Sequence, residues 1–82
     1  MSQIRTLIQV PAELWASMMM PEGILEKWII ADGGQVGVGD PVAVVRIESA
    51  LHTLVAPCAG CLHIECRIDN VIEPGDVIGH II

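Results

Sequence analysis

Short apolar runs rich in Val, Ile and Leu recur along the chain, each closed by Gly or Pro: Pro11, Pro21, Gly23, Gly33-Gly34, Gly37, Gly39, Pro41, Pro57, Gly60, Pro74-Gly75 and Gly79. β-Branched runs at roughly 8–12-residue spacing predict an all-β sandwich or barrel. The clearest strand follows Gly60. Leu62, Ile64, Cys66 and Ile68 are expected on its buried face, with Cys61, His63, Glu65, Arg67 and Asp69 on the other, up to the turn at Asp69-Asn70. No stretch has the length and 3.6-residue period of an amphipathic helix. Ala12–Met20, after Pro11, is allowed one helical turn at most.

The pattern also echoes itself. Gly23-Ile-Leu-Glu-Lys-Trp-Ile-Ile-Ala-Asp32 leads to Val36 and Gly39-Asp40-Pro41-Val42. Gly60-Cys-Leu-His-Ile-Glu-Cys-Arg-Ile-Asp69 leads to Val71 and Gly75-Asp76-Val77-Ile78. Both copies read Gly, strand, acidic turn, Val, Gly-Asp, strand. Two β halves of this kind predict a quasi-twofold sandwich, since a solenoid needs more repeats. Superposing the copies sets Lys27 opposite Ile64, which leaves the phase of the first copy open and admits a bulge there.

Composition narrows the function classes. With 82 residues the chain is read as one domain, residues 1–82, and 52% apolar residues require a folded core. Lacking Phe and Tyr, that core must come from Val, Ile, Leu, Met and Ala. Four Lys+Arg against ten Asp+Glu give a formal charge of −6, which phosphate backbones repel, so nucleic acid is not an expected partner. No run approaches the roughly 20 apolar residues of a membrane helix. The start, Met1-Ser2-Gln3-Ile4-Arg5, has no signal-peptide pattern, and three cysteines cannot close a disulfide framework. The expected setting is a reduced cytoplasm.

Ile8-Gln9-Val10-Pro11, Leu14, Ser17-Met18 and Glu22-Gly23 open an ordered set of motifs. It continues through Gly23–Trp28, Asp32-Gly33-Gly34-Gln35-Val36, Gly39-Asp40-Pro41-Val42, Ala56-Pro57-Cys58-Ala59-Gly60 and Glu73-Pro74-Gly75-Asp76-Val77-Ile78. The set covers nearly the whole chain and resembles the lipoyl and biotinyl carrier domains. That resemblance implies a flattened barrel or sandwich of two four-stranded sheets with quasi-twofold symmetry. In the family, a Lys at the tip of a tight hairpin, within Asp-Lys-Ala or Met-Lys-Met, receives lipoate or biotin and shuttles an intermediate between active sites.

This chain departs from the family at that tip. The hairpin reads Val45-Arg46-Ile47-Glu48-Ser49-Ala50-Leu51-His52-Thr53, passing from Glu48-Ser49 to Ala50 with no Asp-Lys between them. The expected tip, Ser49, Ala50, Leu51 and His52, contains no amine for a stable amide. The single lysine, Lys27, falls inside a strand. The resemblance therefore implies a degenerate member with no cofactor and no attachment site. A deletion of two residues keeps the in/out alternation of both strands.

Other chemistry is weaker. Cys58, Cys61, His63 and Cys66 have zinc-like residue types, with Cys61 and His63 the best pair, since they share a strand face. Four ligands within nine residues of one strand cannot easily surround one ion, and a redox Cys-x-x-Cys lacks its βαβ context. The bland reading makes Cys66 a core residue, Cys58 a turn residue and Cys61 partly exposed. His52 is read as a solvated turn histidine near Glu48, and His80 as structural. No nucleophile–base set, phosphate loop or carboxylate pair is apparent, and Gly37-x-Gly39 precedes a strand rather than a nucleotide-binding helix. Trp15, Met18 and Met19, with Met20, form a candidate partner surface, although in a chain so poor in aromatics completing the core is the stronger reading.

The expected molecule is a non-enzymatic domain that docks onto an acyltransferase, dehydrogenase or carboxylase component. It is read as free-standing, because first and last strands lie near the chain ends. The alternatives are a covalent carrier with an unconventional acceptor and, more weakly, a Cys/His metal or thiol module.

Overall fold

A computed structural model describes residues 4–82. Eight strands form: β1 (Thr6–Gln9), β2 (Gly23–Trp28), β3 (Gln35–Val36), β4 (Pro41–Ile47), β5 (Ala50–Val55), β6 (Gly60–Ile64), β7 (Val71–Ile72) and β8 (Val77–Ile81). They make two four-stranded sheets, β1-β8-β6-β3 and β5-β4-β2-β7, with every pairing antiparallel. The sheets stack as a flattened sandwich and do not close into a barrel. Among the described residues the one helical element is a 3₁₀ turn at Ala12–Leu14.

Alternation explains the layers. Within β4, Val45 and Ile47 face the partner sheet and are fully buried, while Arg46 between them is exposed. Leu25, Leu62, Ile72, Ile78 and Ile81 meet them from the other strands. Trp15 joins this core at 6% exposure, and Trp28 packs on its margin. Aliphatic side chains thus do most of the filling, as the composition requires.

The echo is visible in hydrogen bonds. Ahead of β4, the Asp40 carboxylate accepts the Gly37 N–H at 2.8 Å; ahead of β8, the Asp76 carboxylate accepts the Glu73 N–H at 2.8 Å. Gly39 and Gly75 both have φ +84°. Gly39 N–H then donates to Ala56 carbonyl, and Gly75 N–H to Val10 carbonyl, each at 2.8 Å. Ala56-Pro57 and Val10-Pro11 are therefore equivalent segments, a correspondence that runs around the molecule rather than along the chain. Farther in, Leu62 exchanges bonds with Gly33 and Gly34, just as Leu25 does with Asp69 and Asn70.

The open phase of the first copy is settled by a bulge in β2, where the register against β4 shifts between Leu25 and Lys27. The run after Gly60 is shorter than alternation suggests. It leaves the sheet after Ile64, because the N–H groups of both Glu65 and Cys66 donate to the single Ile78 carbonyl. Two consecutive donors on one acceptor break the period of two. Ile68, expected on the buried face, therefore lies 49% exposed in the turn before Asp69 (φ +73°).

Candidate functional site: the hairpin end

The β4–β5 hairpin closes in two residues. Ile47 pairs with Ala50, and Glu48 and Ser49 between them have φ +52° and +67°. Positive φ at both positions is the type I′ geometry, whose twist matches that of paired strands. The tip expected at Ser49-Ala50-Leu51-His52 is thus corrected to Glu48-Ser49. Ala50, Leu51 and His52 belong to β5, opposite Ile47, Arg46 and Val45. His52 is half-buried on the inner face of a strand and is not a solvated turn residue.

Glu48 does local work that the sequence did not reveal. Its Oε1 accepts the Ala16 N–H and its Oε2 the Ser17 N–H, both at 3.1 Å. One carboxylate so fastens the tip to the segment between the 3₁₀ turn and β2. Ser17 Oγ accepts the Met19 N–H at 3.3 Å, and Trp15 Nε1 donates to the Glu22 carbonyl at 3.2 Å. Trp15 anchors the loop from inside, whereas Met18, Met19 and Met20 stand 60%, 91% and 80% exposed. The candidate surface of Trp15, Met18 and Met19 is thereby divided: the indole is a core residue and the thioethers are at the surface.

Beside the tip lies a shallow cleft of about 250 Å³ lined by Glu22, Ile24, Arg46, Glu48, Ser49 and Val71. Its cation, Arg46, bridges to Glu26 at 2.8 Å. The exposed Lys27 sits in β2 opposite Val44, not at the tip. This end combines exposed apolar thioethers with charges of both signs, a mixture suited to protein contact.

The cysteine region is arranged differently. Cys58 and Cys66 pack against the core, while Cys61 Sγ approaches the Gly33 carbonyl at 3.4 Å; all three thiols are free. Trp28 Nε1 donates to the Cys66 carbonyl at 2.9 Å. Among the described residues, no three His, Cys, Asp or Glu side chains converge as a metal site. His63 instead pairs across strands with His80, their rings stacked 4.8 Å apart and 3° from parallel. His80, 8% exposed, also contacts the Glu65 carboxylate through Nδ1 at 2.6 Å. The spacing of His63 and Glu65 hints at a shared outer face, but their meeting with His80 depends on a pairing made fifteen or more residues away.

No protein-family model matches the chain. Among the described residues, no helix is long and apolar enough to cross a membrane.

Proposed function

We propose that this domain is a non-enzymatic, cytoplasmic docking module, a carrier-type scaffold of lipoyl or biotinyl kind without an attachment site. Its partner is an acyltransferase, 2-oxo acid dehydrogenase-type or carboxylase-type component. The observation carrying this reading is the hairpin tip. Where the resemblance expects a protruding amine, a two-residue turn presents Glu48 and Ser49, and Glu48 is engaged with the neighbouring loop. Covalent loading needs an amine nucleophile at that point. Docking needs only a stable end surface, which the Glu48 clasp and the exposed methionines supply.

Cross-linking followed by purification from the native cells tests the reading. The expected result is recovery of one such enzyme component with the wild-type chain and its loss with Met19→Asp, which charges the most exposed thioether position. Recovery without any enzyme of these classes, or recovery unaffected by Met19→Asp, contradicts it.

A further inference from the structure

On the outer face of the β1-β8-β6-β3 sheet, two imidazoles and a carboxylate meet. Leu62 and Ile81 point into the core, so alternation turns their neighbours His63 and His80 to the other side. The two histidines are paired directly across β6 and β8, with rings 4.8 Å apart and 3° from parallel. Glu65 Oε2 sits 2.6 Å from His80 Nδ1. Neither the hairpin tip nor the exposed methionines involve these three residues.

The carboxylate selects the tautomer. With Nδ1–H donating to Glu65, a neutral His80 keeps its lone pair on Nε2. A carboxylate placed behind a histidine in this way is how proteins orient an imidazole that ligates a metal. The ring nitrogens are also reachable. Among the described residues, no buried side-chain nitrogen lacks a hydrogen-bond partner, and His80 Nε2 and both ring nitrogens of His63 make no hydrogen bond. These three atoms therefore touch solvent, although His80 as a whole is only 8% exposed. The spacing suits a shared ion. With a metal–nitrogen distance of roughly 2.0–2.1 Å and an N–metal–N angle of about 90–110°, two imidazoles on one ion hold their ring centres about 4.5–5 Å apart. The present 4.8 Å meets that requirement; the tilt does not, because parallel rings do not converge. Glu65 holds His80, so the half-buried His63 is the ring that turns.

We infer that His63 and His80 bind a divalent transition-metal ion of the imidazole-preferring group, Zn²⁺, Ni²⁺ or Cu²⁺, with Glu65 as the positioning residue. Two protein nitrogens and water complete the coordination. That agrees with the lack, among the described residues, of three converging ligands, and it makes the site exchangeable rather than structural. The chain's formal charge of −6 attracts a cation. Cys61, two residues before His63, stands apart, its Sγ against the Gly33 carbonyl at 3.4 Å. The site is thus distinct from the cysteine cluster.

Ni²⁺ is the probe, because it binds imidazole and does not oxidise thiols as Cu²⁺ does. It is titrated into the untagged chain and followed by calorimetry and by paramagnetic broadening of amide resonances, independently of any enzyme partner. The expected result is one ion per chain, with broadening centred on His63 and His80. His63→Gln and Glu65→Gln should each weaken binding at least tenfold, and Cys61→Ser should leave it unchanged. Should His63→Gln unfold the chain, Glu65→Gln, at an exposed carboxylate, decides. Absence of uptake overturns the inference, as does uptake that survives His63→Gln in a folded chain. Broadening centred on His52, or binding lost with Cys61→Ser, overturns it by locating the ion elsewhere.

Discussion

Gly60→Ala measures how tightly the start of β6 is held. Gly60 has φ +153°, and a Cβ placed there would lie 2.6 Å from Ile81 Cγ2 and 2.7 Å from the Ile82 carbonyl oxygen. That carbonyl cannot retreat freely, because it accepts the Cys61 N–H at 2.8 Å while Ile82 N–H bonds back to Cys61. Forcing one carbon into such a site costs about 1–3 kcal/mol, and holding a non-glycine residue at that φ costs about 1–3 kcal/mol more. The sum, about 2–6 kcal/mol, is a large part of the roughly 4–12 kcal/mol expected for a domain of this length. Gly39→Ala is the control. It has φ +84° with nothing within 4 Å of the added carbon, so only a backbone cost of about 1–2 kcal/mol applies. Urea unfolding followed by circular dichroism should place Gly60→Ala well below Gly39→Ala, and thermal melting should show a drop of at least about 10 °C for Gly60→Ala. Equal losses in the two variants would refute the close contact.

Two further outcomes concern the tip. Glu48→Gln removes the charge and leaves one carbonyl acceptor for two N–H groups, so hydrogen exchange at Ala16 and Ser17 should accelerate roughly fivefold for a loss of about 1 kcal/mol; unchanged exchange at both amides would show that the clasp holds nothing. Ser49→Gly relieves a serine held at φ +67° and should raise stability by up to about 1 kcal/mol in urea unfolding, against the usual cost of a new glycine.

The two-sheet sandwich, the repeated Gly-Asp turns and the β2 bulge were legible because each has a local signature: alternation, a turn residue at fixed offset, or a break in phase. Ile68 departs from the alternation because the break after Ile64 arises from two N–H groups sharing the Ile78 carbonyl on β8, a long-range event. The tip at Glu48-Ser49 is hidden in the sequence because Glu and Ser are not the residues that type I′ turns favour. Glu48 holding Ala16 and Ser17, and His80 meeting His63 and Glu65, join residues far apart in sequence, and only the assembled sheets bring them together. Trp15 and its methionines illustrate both sides: the fold places the indole inside and leaves the thioethers outside, a division that sequence adjacency conceals.

Attachment chemistry tests the central claim most directly. The purified chain is incubated with lipoate or biotin ligase, cofactor and ATP, and its intact mass is measured. A parallel variant carries Asp-Lys inserted between Ser49 and Ala50, which enlarges the Glu48-Ser49 turn to four residues and sets an amine at the tip while Ile47 and Ala50 stay paired. The account predicts an unchanged mass for the natural chain and a cofactor adduct, at least in part, for the insertion variant. An adduct on the natural chain, at Lys27 or elsewhere, would contradict it.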